Sequence, residues 1–413
     1  MGPGLLLAAT SVGASHILMS PEAGARYDLQ LVWLVVLTHL FKYPAFEFAP
    51  RYVAARGESL LEAYARAGGP KHWALWLGIA DMTIQAIGLI AALVGLTASF
   101  LTASVGILSL PLWSLVLLTL LLLLLALGHY RALRAVNVGL LLFLAFGTVV
   151  AFLASPPALT DLPQMVVPSL PEGSLLLVAA ILGFMPTSVA VSIWQSLWSL
   201  EQGRFRDHAE TTSDERRDLL RHGLFDLRVG YGLSAGLAVL FVSLGATVLH
   251  PRGLVPQGTD VALTLSRLYT EVLGEWMQPI VLLMAFAALF TTCYTMMDGF
   301  PRSFVAARRV LRGQPAAGAE VDRGYWTFLL SVTFGGLAIL AVLPDPAMLV
   351  KGVGAFGLLL SPIYYTLNLW AVTRWIDAPE LRPGKFMVAL AVLGIVSMVA
   401  VALLLLWTTF GNP

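Results

Sequence analysis

Two short polar interruptions hold the residues best suited to chemistry in this chain. The first is SVGASHI, Ser11 to Ile17, and the second is GFMPTS, Gly183 to Ser188. Each breaks an apolar run with Gly, hydroxyl groups and either His or Pro. Where a helix stops and restarts, its second half begins with unpaired backbone N–H groups and the positive end of a dipole. Those starts are expected near Ser15-His16 and Thr187-Ser188. Amides and hydroxyls at helix starts form a small-anion site, and His16 can donate from a ring nitrogen. No carboxylate is expected at this site. The substrate-contacting set is therefore Thr10, Gly13, Ala14, Ser15, His16, Leu182, Gly183, Met185, Thr187 and Ser188, with a bicarbonate-like anion as the expected solute. The competing expectation is a divalent cation held by Met185, carbonyls and water. Apart from Met185, no metal ligand stands out. The plainer reading of His16 is a structural histidine bonded to a neighbouring carbonyl.

A second group lies in LFTTCYTMMDGF, where Thr291 and Thr292 add hydroxyl oxygens to an apolar run. Together with carbonyls near Thr10 and Gly13, they are expected to hold a coupling Na⁺. The plainer alternative is that each hydroxyl bonds back to its own helix. Lys42, Asp81, Asp298 and Lys351 are charged residues within or beside apolar runs, and their roles are open. A Lys42–Asp298 inner gate is one arrangement considered. Ser15 beside His16 tempts a hydrolase reading, but successive helical residues point about 100° apart. There is no HExxH, GxSxG or phosphate-loop motif, so neither an enzyme nor an ATP-driven pump is expected. No organic cofactor is expected.

The elements that position these residues must cross a bilayer. Of the 413 residues, 58% are hydrophobic and 12% charged, half the charge usual in soluble domains. The net charge of +1 gives no basis for a nucleic-acid partner, and one cysteine allows no internal disulfide. No obligatory protein partner is implied; the partners expected are a small inorganic ion and the lipid bilayer. A span needs about 20 apolar residues. About eleven spans are read, good to a few residues: 4–25, 29–50, 74–102, 109–128, 133–154, 174–200, 224–249, 276–300, 325–343, 348–373 and 386–408. Runs such as LLLLLALG do not alternate, which excludes a barrel. Lys and Arg gather in one set of loops, among them Arg51, Arg66, Lys71, Arg204, Arg216, Arg308, Arg312 and Arg382. The opposite set holds Arg26, Arg252 and Arg267. The positive-inside rule then puts the N-terminus in the cytoplasm and the C-terminus outside, in a multi-pass protein of the cell inner membrane.

Interruptions in the first and sixth spans suit an inverted repeat, with the two breaks meeting near the midplane. The expected division is residues 1–154 for one five-helix repeat, 155–373 for its inverted partner and 374–413 for an eleventh helix. The sequence also resembles the Nramp family of divalent-metal transporters along most of its length. GPGLLLAATSVGASH resembles that family's first helix, and LQLVWLVVLTHL with ARGESLLEAYAR its second helix and following loop. GFMPTS resembles its sixth-helix break, and LFDLRVGYGLSAGLAVL its seventh helix. The resemblance implies an all-α, LeuT-like 5+5 inverted repeat plus one helix, with helices 1 and 6 broken, and secondary transport by alternating access. The family's motif Asp and Asn fall on Gly13 and His16. Its sixth-helix Met-Pro-His becomes Met185-Pro186-Thr187, and the carbonyls it uses correspond to Thr10 and Leu182. In the third helix Asp81 lies one position out of register with the family's acidic pair, and Gln85 replaces its glutamate.

Overall fold

A computed structural model describes residues 13–128, 130–201, 212–318 and 321–411. Within them every regular element is helical. Eight segments are long and apolar enough to cross a membrane. The segment Ser15–Arg56 contains the first two expected spans, and the shorter Leu142–Ala154 and Leu175–Phe184 fall in the fifth and sixth. The eleven-span reading is thus accounted for, although the start of the first span, with Thr10, lies outside the described residues.

The first span enters through a π-turn at Ser15–Met19 and continues as α1 (Ser20–Tyr27). The second is α2 (Val32–Arg56), followed by a short α3 (Leu60–Ala65). The third is α4 (Trp73–Val105), interrupted by a π-turn at Ile90–Val94. Next come α5 (Leu110–Leu127) and α6 (Tyr130–Ala154). The sixth span is split into α7 (Leu175–Phe184) and α8 (Val191–Glu201). The seventh is α9 (Ser213–Leu244), extended by a π-turn at Gly245–Leu249. A separate helix, α10 (Val261–Leu273), precedes the eighth span, α11 (Gln278–Leu311). The last three spans are α12 (Arg323–Val342), α13 (Pro346–Arg374) and α14 (Lys385–Phe410).

Local chemistry sets these limits. Asp345 accepts from the amides of Ala347 and Met348, capping α13, and Thr212 and Glu215 form a capping box at α9. Such caps satisfy amides that a helix start leaves without partners. α5 turns Leu112, Leu115, Leu120, Leu123 and Leu127 outward, where in a bilayer only lipid would meet them. The polar residues lie inside. Asn368, fully buried on α13, accepts from the Tyr64 hydroxyl at 2.6 Å and donates to Ser192 Oγ at 2.8 Å and the Ala45 carbonyl at 3.3 Å. One amide thus ties α2, α3, α8 and α13 together.

Backbone also approaches backbone closely at several glycines, Gly183, Gly24 and Gly245 among them. A Cβ on Gly183 would lie 1.9 Å from the Gly354 carbonyl oxygen, one on Gly24 2.0 Å from that of Val242, and one on Gly245 2.3 Å from that of Pro21. Only glycine permits such contacts, as small residues do at helix interfaces in lipid.

Candidate functional site

The sixth span breaks because Pro186 has no N–H and forces the residue before it out of helical geometry. Met185 is extended, at φ −107° and ψ 131°, and the Met185–Pro186 bond is cis. α8 begins at Val191, three residues beyond Ser188, rather than at the expected Thr187-Ser188. The Ser188 carbonyl accepts from the Val191 amide, and its hydroxyl from the Ala190 amide at 3.4 Å. The first span meets this break as expected, with Ser15 Oγ 3.4 Å from the Pro186 carbonyl oxygen.

Chemistry at the junction differs from expectation. His16 is fully buried and faces the seventh span. Its Nε2 lies 3.0 Å from the Ser234 carbonyl oxygen, so it donates there. In the neutral ring Nδ1 then accepts from Ser15 Oγ at 2.9 Å. The adjacent hydroxyl and imidazole therefore do meet, contrary to the helical-angle argument, because Ser15 opens a π-turn. Both are enclosed, and the imidazole is held by Ser234 rather than offered to a solute. Ser234 and nearby His39, 3.5 Å from Ser234 Oγ, were not in the expected site. A serine in GYGLSAG and a lone His in an apolar run gave no signal to join them.

Lys42 supplies the larger surprise. From α2 its ammonium donates to the carbonyls of Leu182 (3.1 Å), Gly183 (3.1 Å) and Thr187 (2.6 Å). The Leu182 oxygen expected to face a substrate is thus already bonded. Asp298 pairs instead with Arg302 at 2.8 Å and accepts from Tyr325 at 2.8 Å, so the Lys42–Asp298 gate is not formed. Lys351 pairs with buried Glu22 at 2.7 Å.

A cavity of about 60 Å³ opens beside the break. Thr187 and Ser188 line it from the sixth span, Thr292 and Thr295 from α11, and Asp81 and Gln85 from α4. It extends toward Gly78, Phe300 and Ser303, nearer the arginine-bearing ends of α11 and the loop before α4. Asp81 corrects the expectation of a site without acid: it is the one carboxylate among the described lining residues. It accepts from Gln85 Nε2 at 2.8 Å and from the Tyr364 hydroxyl at 2.7 Å. Gly13, Ala14, His16, Leu182, Gly183 and Met185 do not line this cavity; of the expected substrate set, Thr187 and Ser188 do. Met185 is fully buried. Among the described residues no group of three His, Cys, Asp or Glu could hold a metal ion.

Of the expected coupling-ion residues, Thr10 lies outside the described residues, and Gly13 and Thr292 lie close together. Gly13 faces Thr292, whose Oγ1 would lie 2.9 Å from a Cβ there. Thr291 and Thr292 donate to the carbonyls of Ala287 and Ala288 at 3.0 and 2.9 Å. This is the plainer arrangement anticipated above, and it leaves the oxygen lone pairs available to a cation.

The sequence profile described as natural resistance-associated macrophage protein-like, Nramp, matches residues 4–408. The chain belongs to the Nramp family. An uncharacterized protein of Pasteurella multocida (strain Pm70) is 30% identical over 389 residues, covering 91% of this chain and 85% of that one. A divalent metal cation transporter MntH of Chromohalobacter salexigens is 26% identical over 296 residues, 69% of this chain and 65% of that one. Among solved structures, a mutant of the Eremococcus coleocola manganese transporter superposes with a TM-score of 0.71 at 15% identity, covering 100% of this chain and 88% of that one. Mhp1, a nucleobase-cation-symport-1 family transporter, gives 0.61 at 15% identity, covering 98% and 91%. At such identities the structures speak for the fold, a LeuT-like helical transporter architecture. This Nramp protein is a multi-pass membrane transporter.

Proposed function

We propose that this Nramp protein is a secondary transporter of a small divalent cation, worked by alternating access, with Asp81 as the carboxylate that draws the ion into the cavity. The observation that carries this reading is Asp81, buried beside the sixth-span break among hydroxyl groups. Oxygen ligands without imidazole or thiolate suit a hard cation such as Mg²⁺ or Mn²⁺. One carboxylate and a few hydroxyls fall short of six ligands, so the ion keeps several waters, as Mg²⁺ does readily. A 60 Å³ cavity has room for a small ion with a few waters. The relatives named as divalent metal cation and manganese transporters support the same class. The bicarbonate-like anion has less support: His16 is engaged by Ser234, and a carboxylate faces the cavity.

The reading includes placement in a cell inner membrane with the N-terminus cytoplasmic and the C-terminus outside. Coupling uses Na⁺ at Gly13, Thr291 and Thr292 or a proton. The five-helix repeats divide at residues 154 and 373. Flux into proteoliposomes tests the substrate: Mg²⁺ or Mn²⁺ entry is expected, reduced at least about tenfold by Asp81→Asn. That is roughly the effect of losing 1.4 kcal/mol of charge interaction. Bicarbonate entry without dication entry would sink the proposal. Imposing a Na⁺ or a pH gradient in turn identifies the coupling ion.

A further inference from the structure

Lys42 is the least expected buried group in the molecule. It is fully enclosed on α2 and, among the described residues, has no carboxylate partner; its three bonds run to backbone carbonyls. An ammonium moved out of water without an opposing charge is costly. Here the compensation is built from the break itself. Leu182 and Gly183 are near the C-terminal end of α7, where carbonyls lack helical partners and the dipole is negative. The Thr187 carbonyl, on the far side of Pro186, closes the set. Three oxygens at 2.6 to 3.1 Å match the three N–H bonds of an ammonium. Replacing an ion's hydration shell with carbonyl oxygens at such distances is also how proteins hold potassium.

We propose that Lys42 is a tethered cation. The carbonyl cradle at the sixth-span break is a monovalent-cation site filled from within the chain, and a free potassium or ammonium ion occupies it when the side chain is removed. Two consequences follow. The break is held in shape without any dissolved ion. The cradle is also closed to a dication, which the neighbouring positive charge repels, leaving Asp81 to receive it. The first consequence does not depend on which solute is carried.

The experiment is thermal unfolding of the purified full-length protein in detergent, in choline chloride and then in potassium or ammonium chloride. Wild type is expected to melt at one temperature in all three salts. Lys42→Ala is expected to melt about 2 °C lower in choline, as for the loss of about 2 kcal/mol in a chain of this length, and to recover in a saturable way with potassium or ammonium. Lys42→Met, which fills the space without charge, is expected to melt low in every salt. Lys42→Ala melting like wild type in choline, or low in all salts alike, overturns the proposal. If Lys42→Ala yields no folded protein, Lys42→Gln decides. Its neutral amide can still donate, so wild-type melting refutes the need for a cation there, and lowered melting upholds it. Because no flux is measured, failure of the substrate assignment leaves this result unaffected.

Discussion

At the scale of the residue, burial and partners separate side chains that look alike in the sequence. His16 and Asp81 are both polar groups in apolar spans, yet one is fastened to Ser234 and the other faces a cavity. His16→Ala is therefore expected to cost stability, about 1 kcal/mol for interhelical bonds in lipid, with little change in half-saturating substrate. Unfolding and flux assays on the same preparation check this, and a large loss of affinity with unchanged melting would restore His16 to the site. Outside the spans, Glu58 takes a bidentate bond from Arg66 at 2.6 and 2.7 Å. Its partial burial opposes ionisation, but the Arg66 bonds and charge and the Tyr52 hydroxyl outweigh it and hold the carboxyl below its ordinary 4.5. A lowered carboxyl stabilises the fold above the unfolded value and ceases to do so as pH falls through the folded one. The melting difference between wild type and Glu58→Gln is thus expected to be full at neutral pH and to shrink below pH 4.5. A difference that grows on acidification would contradict the assignment.

At the scale of the element, glycine and proline in the sixth span do separate work. Pro186 ends α7, whereas Gly183 lets α7 lie directly on α13. Gly183 closely approaches the Gly354 carbonyl, 1.9 Å from where a Cβ would sit. Gly183→Ala is expected to destabilise by about 3 kcal/mol or more, the upper range for overpacking, because the obstacle is backbone that cannot rotate aside. Unfolding or expression yield reads the effect, and a well-folded Gly183→Ala would show that the two spans separate easily. The π-turn at Gly245–Leu249 meets α1 in the same manner, through Gly24 and Gly245.

Across the whole molecule, the cavity extends from the break toward the arginine-bearing ends. Toward the opposite ends, Glu22 and Lys351 join α1 to α13. Alternating access requires this arrangement to invert. In a Cys293→Ser background, Thr292→Cys places a thiol on the cavity wall. An impermeant thiol reagent is expected to label it from the arginine-bearing side. Adding the transported dication is expected to shift reactivity to the other face. Comparing inside-out vesicles with intact cells reads both the opening and the orientation. Equal labelling from both faces at all times would indicate a channel.

The helical membrane class, the number of spans and the interrupted sixth span were legible in the linear order of residues. Hydropathy is a running local average, and Pro186 acts on its immediate neighbours. That the first motif lies beside the sixth-span break, through Ser15 and Pro186, was legible as well from their matching positions five spans apart. What the site contains was not. Lys42 reaches carbonyls about 140 residues away, His16 a serine 218 away, and Asp81 a tyrosine 283 away. Backbone carbonyls carry no residue signature, and periodicity does not fix which spans adjoin Asp81 across the bundle. Packing brought a carboxylate to the cavity and an ammonium to the break, which neither motif contains.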